Sequence, residues 1–384
     1  MARTASSKSI AVKHFRGLEI FDGARAAAGR KLSQRRSQGM KVRAEACREA
    51  ASHSAVPFFG VALCVLFFGA ITARAQSCQT SGELEDAALT GITAAGQRYF
   101  DMAAKADLAS LRQNSIPSLA SDFSGVQTTI TDHQQDLASA QATVKSVFLL
   151  ETEGSAPAPH AEFYCGVFGK NGQTAGSAVF EIDNLPPGKY AVVLLDATSP
   201  KGRTMFSVIL QQAGTAWKLG GLYLKPALVA GHDSDWFVAR AREFKAKGQL
   251  HNAWLFYAAA SGLVYRLNFM TTLATDKLYD ESQSVQPADV PANGKTVDLL
   301  VGMATYKLTA MFPEGIGNDL DLTVKYQAAD ISNTNQAYQD NLAVIKALVG
   351  KYPELKEAFA GVVARAVDPS GRDYGTLLAM KDIK

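Results

Sequence analysis

The sequence predicts an α+β protein in which helices pack on an antiparallel sheet, followed by a helical hairpin and a small α/β C-terminal unit. Two observations predict the first part. Between residues 83 and 113 apolar side chains recur every three or four positions, which is the period of a helix with one buried face. After Val144 the pattern changes to short β-rich runs separated by Gly and Pro. Helices followed by antiparallel strands favour an arrangement in which the helices cover one face of the sheet.

The N-terminal region is typical of an export leader. Residues 56–72 contain no charged side chain, follow a basic segment and precede Ala73-Arg74-Ala75, an A-x-A cleavage pattern. We therefore expect residues 1–75 to be a leader with a signal peptide, and the mature chain to begin near Gln76 in the periplasm or outside the cell. Two alternatives stay open. Translation can start at Met40, and an uncleaved signal would anchor the protein in a membrane through residues 56–72.

Removal of this leader reverses the net charge. The whole chain has 39 Lys and Arg against 36 Asp and Glu; residues 1–75 hold 13 and 4 of these, which leaves 26 against 32 and a net charge of −6. A mildly acidic chain without a basic block lacks the electrostatic footprint of a nucleic-acid-binding protein. We therefore expect no nucleic-acid partner.

Two cysteines remain in the expected mature chain, Cys78 and Cys165. In an exported protein such a pair is a candidate disulfide, which here would join the mature N-terminus to a strand. The alternative is two unpaired cysteines. Neither the cysteines nor the four scattered histidines of the mature chain show the spacing of metal ligands. We expect no metal site and no cofactor.

The helical part is expected to break near Asp107. The first helical pattern ends around Lys105-Ala106, and a second, short helix is predicted from Ala106 or Asp107. A polar helix follows over residues 128–140. Six β-rich runs then occupy residues 145–154, 161–170, 176–184, 189–197, 204–214 and 215–226. The last three runs are expected to pair as a meander.

Residues in both halves of this region resemble nuclear transport factor two-like proteins. The helical half carries Tyr99-Phe100, Ala103, Asp107-Leu108, Leu111 and Pro117, and the sheet half carries residues 206–210 and 217–223. The resemblance covers about residues 83–226. It implies a cone of helices packed in a curved sheet, with a pocket that some members use for catalysis and many for binding or dimerisation.

The residues of such a pocket can be only partly assigned. The isomerase members of the family need an acid–base Asp and a Tyr directed at a substrate oxygen, and the sequence does not place such a pair. The candidate pocket residues are Tyr99, Asp132, His133, Tyr164 and Glu181. They either line a polar pocket or belong to a solvated helix surface and to ordinary strands.

Residues 233–268 predict a helical hairpin with Gly248 in its turn. The spacing of its aromatic and small residues is similar to one tetratricopeptide repeat, although Tyr265 stands where a proline is usual. Trp236, Phe244 and Tyr257 are the candidates for binding a protein partner. Because one repeat cannot bury its own face, we expect the hairpin to pack against its neighbours. A true partner-binding repeat is the alternative.

The C-terminal unit follows a linker over residues 285–296. Its Gly294-Lys295-Thr296 lacks the first glycine of a P-loop, since Asp289 stands there, and no nucleotide site is expected. Strands are predicted at 297–311 and 320–328 around a turn at 313–318, then a helix at 333–350, a helical turn from Pro353 and a hairpin of 362–367 with 374–380. The domains are thus expected at 76–228, 229–290 and 291–384.

Two charged groups of this unit are expected to be structural. Asp319 and Asp321 beside the turn lack the regular ligand spacing of a calcium loop, which favours a solvated turn. Arg365, Asp368 and Arg372 are interpreted as a charged hairpin.

The sequence contains no G-x-S-x-G, H-E-x-x-H, kinase or G-x-G-x-x-G motif. We expect an exported, non-catalytic envelope protein that binds a small apolar ligand or a protein partner. One alternative is an enzyme that uses acid–base chemistry on a small hydrophobic substrate, and a buried Asp, Glu or His facing the pocket would favour it. Another is a structural protein that assembles into homo-oligomers. A pocket filled by Phe, Tyr and Leu would favour a non-catalytic role.

Overall fold

The computed structural model describes residues 76–170, 172–292 and 294–383. The expected signal peptide, its cleavage site, the anchor at 56–72 and the start at Met40 lie outside these residues. Within the described part of the chain, none of the helices has the length and apolar character needed to cross a membrane. The predicted α+β class is confirmed: helices alternate with antiparallel sheets, and the C-terminal sheet is mixed.

The first unit begins with a strand, continues with four helices and then forms most of its strands. The helices are α1 (Asp86–Ala104), α2 (Leu108–Gln113), α3 (Pro117–Ser121) and α4 (Ser124–Leu137). The strands are β1 (Gln76–Thr80), β2 (Gln141–Thr152), β3 (Ala158–Cys165), β4 (Phe168–Gly169), β5 (Gly172–Gln173), β6 (Ala178–Leu185), β7 (Gly188–Ser199), β8 (Gly202–Ala213) and β9 (Ala216–Pro226).

Most of these strands form an antiparallel sheet in the order β1-β2-β7-β8-β9. The predicted meander is its β7-β8-β9 portion. Strands β3 and β6 belong to a second antiparallel sheet, whose third strand is β10 (Met270–Thr272) from far along the chain. Strands β4 and β5 form a short ribbon.

Helix α1 packs closely on one face of the five-stranded sheet. A Cβ atom added at Gly96 would lie 2.7 Å from Val193 Cγ1, so the glycine permits this approach. Phe100 of α1 meets Phe206 of β8 edge to face, with ring centroids 5.2 Å apart. The predicted break after α1 is confirmed, because the Asp107 side chain accepts a hydrogen bond from Ser110 N at 3.0 Å and caps α2.

The three-stranded sheet covers the opposite face. Phe148 of β2 contacts Phe180 of β6, with ring centroids 5.2 Å apart, and both side chains are buried. A disulfide joins Cys78 of β1 to Cys165 of β3 and so links the two sheets covalently. The predicted pairing is therefore confirmed. Such a bond is typical of oxidising, extracytoplasmic compartments.

The predicted helical hairpin consists of α5 (Ser234–Ala246) and α6 (Leu250–Val264), and Gly248 takes a positive φ of 76° in the turn. The chain then passes through residues 265–269, which we call the crossing segment, into β10 and helix α7 (Leu273–Gln283). The buried residues of α5, α6 and α7 share one hydrophobic core with the C-terminal unit. The hairpin therefore packs against its neighbours, as expected.

The C-terminal unit is a mixed sheet in the order β11-β12-β13-β14-β15 with a helix crossing over it. Its elements are β11 (Val297–Val301), β12 (Ala304–Ile316), β13 (Asp319–Gln327), α8 (Thr334–Lys351), α9 (Leu355–Ala358), β14 (Gly361–Val367), β15 (Asp373–Ala379) and a final 3₁₀ turn. Helix α8 connects the parallel strands β13 and β14, and Asn333 caps it by accepting a hydrogen bond from Gln336 N.

Two boundaries predicted in this unit are wrong. Residues 297–311 form two strands rather than one, and residues 313–316 lie in β12 rather than in a turn. In both cases a two-residue turn contains a glycine of positive φ, Gly302 at 62° and Gly317 at 66°. These turns bend the strands into tight hairpins whose positions the hydrophobic pattern does not mark.

A matched pair of glycines tests the approach of α1 to the sheet. We expect Gly96→Ala to lower the free energy of unfolding by about 1–3 kcal/mol, because the new methyl group overlaps Val193. Gly91, on the same helix, has no atom within 4 Å of an added Cβ, and Gly91→Ala should raise stability by about 0.5–1 kcal/mol. Urea unfolding followed by circular dichroism measures both changes. Equal stabilisation by the two variants would contradict the close approach.

A second experiment tests the disulfide. Replacing both Cys78 and Cys165 by Ala should lower the free energy of unfolding by about 2–4 kcal/mol, because the bond restricts the unfolded chain. Reductant should destabilise the native protein by a similar amount and leave the double variant unchanged. Free thiols at Cys78 and Cys165 in the native protein without reductant would contradict the bond.

Candidate functional site

The space between the helices and the five-stranded sheet, where the family resemblance implies a pocket, is filled by side chains. Tyr99, Phe100, Leu111, Phe206 and Leu210 are all no more than 2% exposed. The Tyr99 hydroxyl lies 2.9 Å from the carbonyl oxygen of Asn114 and 2.8 Å from that of Trp217. Burial raises the pKa of Tyr99. Tyr99 therefore hydrogen-bonds α1 to β9 at the edge of the sheet, and its side chain does not face an open pocket.

The polar groups buried in the first unit are not those of an acid–base site. Among its described residues the buried polar side chains are Ser115, Thr152, Ser177, Thr204 and Ser207. The described part of the unit contains no buried Asp, Glu or His. The described interior of the first unit therefore lacks the buried Asp, Glu or His that would favour an acid–base enzyme.

Asp132 and His133 lie apart from the other candidate residues, on the surface of α4. Asp132 is exposed, and the nearest acidic partner of His133 is Asp136, at 3.7 Å. Tyr164 and Glu181, in contrast, lie on the outward face of the three-stranded sheet.

That face carries a cluster of polar side chains, of which only Tyr164 and Glu181 are predicted from the sequence. Glu162 and Glu181 are register partners, and the Tyr164 hydroxyl donates to Glu162 at 2.9 Å. His160 lies 2.6 Å from Asp183 and 3.3 Å from Glu162. The hydrogen bond to Asp183 raises the pKa of His160, whereas burial, with Glu162 nearby, raises the pKa of Glu181. The alternation of polar residues along β3 and β6 was the signal for this cluster.

A cleft of about 640 Å³ lies instead between the second face of the five-stranded sheet and the start of α7. Its lining residues come from distant parts of the sequence and are Lys145, Ser146 and Phe148 on β2; 174–177 in the turn before β6; Leu194 and Asp196 on β7; Val264, Arg266 and Met270 around the crossing segment; and 272–275 with Lys277 on α7.

Alternation along β7 determines which side chains reach this cleft. Val193 points towards α1, as its contact with Gly96 shows. Its neighbour Leu194, together with Asp196, must therefore point to the opposite face of the sheet. Phe148 on β2 lies on that face as well, because its ring contacts Phe180 of the covering sheet. The floor of the cleft is thus apolar next to a single carboxylate.

Asp196 forms ion pairs with three positively charged side chains near the cleft. One Arg266 NH₂ group donates to Asp196, and the other donates to the Leu195 carbonyl oxygen at 3.1 Å. Lys145 Nζ lies 3.7 Å from the same carboxylate, and Arg203 lies 4.0 Å from it. The side chains of Arg266 and Asp196 are only 20% and 16% exposed, so this ion pair is held in a fixed geometry at the cleft wall.

Hydrogen bonds hold the crossing segment and the start of α7, which form the other walls of the cleft, in place. Lys225 Nζ donates to the Tyr265 carbonyl oxygen at 2.7 Å and lies 3.4 Å from Asn268 Oδ1, which holds the crossing segment against β9. Burial lowers the pKa of Lys225. Thr272 and Thr275 form a capping box at the start of α7. The cleft is therefore bounded by elements whose positions are defined without a ligand.

The partner-binding candidates of the hairpin are mostly interior residues. Phe244 and Tyr257 are each 1% exposed, and the Tyr257 hydroxyl donates to Glu281 of α7 at 2.9 Å. Trp236 is half-buried and stacks on His232, with ring centroids 3.7 Å apart. Of the three, only Trp236 presents surface to a partner in this conformation.

The acidic turn of the C-terminal unit contains one buried carboxyl. Asp321 is 3% exposed and lies opposite Glu314 across the β12–β13 hairpin, whereas Asp319 is exposed. Burial, with Asp319 and Glu314 nearby, raises the pKa of Asp321 to about 6. Across the described residues no group of three His, Cys, Asp or Glu side chains has an arrangement suited to a metal ion.

Comparisons of the chain with family models, curated proteins and solved structures found no match. No property of a relative can therefore be transferred to these residues. The cleft has to be interpreted from its own chemistry.

The buried Asp321 predicts an unusual dependence of stability on pH. Its pKa in the folded protein exceeds the ordinary value, so the folded state binds the proton more tightly and loses stability as pH rises from about 4 through 6. Asp321→Asn should therefore raise the free energy of unfolding by about 1–3 kcal/mol at pH 7.5 and change it little at pH 4. Urea titrations at the two pH values measure this. Asp319→Asn, at an exposed position, is the control, and an equal effect of both variants at both pH values would contradict the assignment.

Proposed function

We propose that the protein is an exported, non-catalytic binding protein that takes a small ligand with an apolar body into the cleft between the five-stranded sheet and α7. The observation that carries this proposal is the cleft itself. Its volume of about 640 Å³ lies within the range of small-molecule sites, and Phe148, Leu194 and Met270 give it apolar walls.

The filled space between the helices and the five-stranded sheet supports a non-catalytic role. Tyr99 and Phe100 occupy the space between helices and sheet, so a substrate has no room there. The one carboxylate of the described cleft lining, Asp196, is paired with Arg266. The clustered acid–base groups of this unit, His160, Tyr164 and Glu181, lie on the outward face of the three-stranded sheet. None of these three side chains lines the cleft, so the apolar ligand and the acid–base groups would be separated.

Export is part of the same proposal. The disulfide between Cys78 and Cys165 is typical of an oxidising compartment, and the signal pattern of residues 56–75 predicts delivery to one. A binding protein in the envelope or outside the cell needs no cofactor, and its ligand is then a small molecule of that compartment. Protein partners and homo-oligomers remain the alternatives, with Trp236 as the accessible aromatic residue of the hairpin.

Blocking the cleft tests the proposal. Ala175 is an exposed lining residue, so Ala175→Trp should occupy the cleft without disturbing a core. We expect the neutral dye Nile red to bind the native protein with increased fluorescence and to bind Ala175→Trp about tenfold more weakly, a loss of about 1.4 kcal/mol. Ala213→Trp, at an exposed position at the end of β8, is the matched control and should bind like the native protein.

Native mass spectrometry of the protein recovered from an oxidising compartment gives an independent measurement. A co-purifying small mass that disappears in Ala175→Trp and persists in Ala213→Trp would support the proposal. Equal dye binding by all three proteins, or none by the native protein, would contradict it.

A further inference from the structure

We infer that the cleft selects ligands in which the apolar body ends in a negatively charged group. This inference rests on the proposed function and specifies the class of ligand for the same site. It follows from the balance of charges among the lining side chains. Lys145, Arg266 and Lys277 line the cleft, whereas Asp196 is the one acidic residue of the described lining. A ligand anion would offset this excess of positive charge.

The hydrogen-bond capacity of these cations is only partly used within the protein. A guanidinium group has five N–H donors, and the hydrogen bonds of Arg266 go to Leu195 and Asp196 alone among the described residues. Lys145 Nζ is 3.7 Å from Asp196, beyond a normal hydrogen bond. Lys277 forms neither a hydrogen bond nor an ion pair with any described residue, although it is exposed at the cleft. Donors are thus available to a ligand on more than one wall.

The orientation of α7 adds to this preference. Residues 272–275 at its N-terminus line the cleft, and the N-terminal end of a helix carries the positive end of its dipole. The first-turn acid, Asp276, does not line the cleft and accepts a hydrogen bond from Gln173 at 2.9 Å. The helix end therefore adds to the field of Lys277 and Arg266, and the Asp276 carboxylate, which is bonded to Gln173 outside the lining, offsets part of it.

The arrangement also explains why Asp196 does not cancel these charges. Arg266 is held by Asp196 and by a carbonyl oxygen at the wall, so the carboxylate is largely engaged in positioning the guanidinium. A carboxylate or another single negative group can then meet charged donors already in place, which lowers the cost of ordering them. The apolar body of the ligand would lie on Phe148, Leu194 and Met270.

Isothermal titration calorimetry with octanoate, octanol and octylammonium tests the inference, because the three compounds share one chain and differ in charge. We expect octanoate to bind about tenfold more tightly than octanol, and octylammonium more weakly than both. Raising the salt concentration should weaken octanoate binding and leave octanol binding unchanged. Lys277→Gln and Lys145→Gln should each lower octanoate affinity about threefold to fivefold, with little effect on octanol.

Lys201→Gln is the matched control, since this exposed lysine lies in the β7–β8 turn and contacts Gln135 of α4. It should change neither affinity. If octanol binds as tightly as octanoate, the charge preference is overturned while the proposed function stands. If neither compound binds, both are overturned. If octanoate binds but its affinity is the same in both cleft lysine variants, the anion lies elsewhere and the inference is wrong.

Discussion

The structure depends on covering both faces of the five-stranded sheet. Six consecutive residues of β7 and seven of β8 are buried. Because neighbouring side chains of a strand point to opposite faces, both faces of the sheet are buried at these strands. Helices α1–α4 cover one face, and the three-stranded sheet covers the other. The second cover is narrower than the sheet beneath it. The cleft lies beside this narrower cover, where side chains of β2 and β7 meet the start of α7.

This origin explains the mixed character of the cleft. Its floor consists of buried side chains of the five-stranded sheet, such as Leu194 and Phe148, whereas part of its rim is formed by the crossing segment, which connects the two cores. Arg266 belongs to that connection, and Lys225 holds the same segment from β9. Of the charged residues that line the cleft, Arg266 therefore also joins the crossing segment to the five-stranded sheet.

The sequence predicted those features that depend on near neighbours. The class, the break at Asp107 and the hairpin turn at Gly248 all follow from local periodicity or from turn residues. The second sheet was not foreseen, because β10 pairs with β6 across about ninety residues and three residues of strand give no periodic signal. The cleft was missed for the same reason. Lys145, Arg266 and Lys277 have no common spacing, and only the fold brings them together.

One consequence concerns the order in which the protein can be completed. The three-stranded sheet takes its third strand from residues 270–272, which follow the whole helical hairpin in sequence. A chain that emerges from the ribosome or a translocation channel with its N-terminus first presents β3 and β6 long before β10. During that interval the β6 edge is unpaired, an arrangement that favours pairing between chains. The three-stranded sheet can thus be completed only after synthesis has passed Thr272. A fragment that ends at the predicted domain boundary, residue 228, would lack β10 and leave the edge of β6 unpaired.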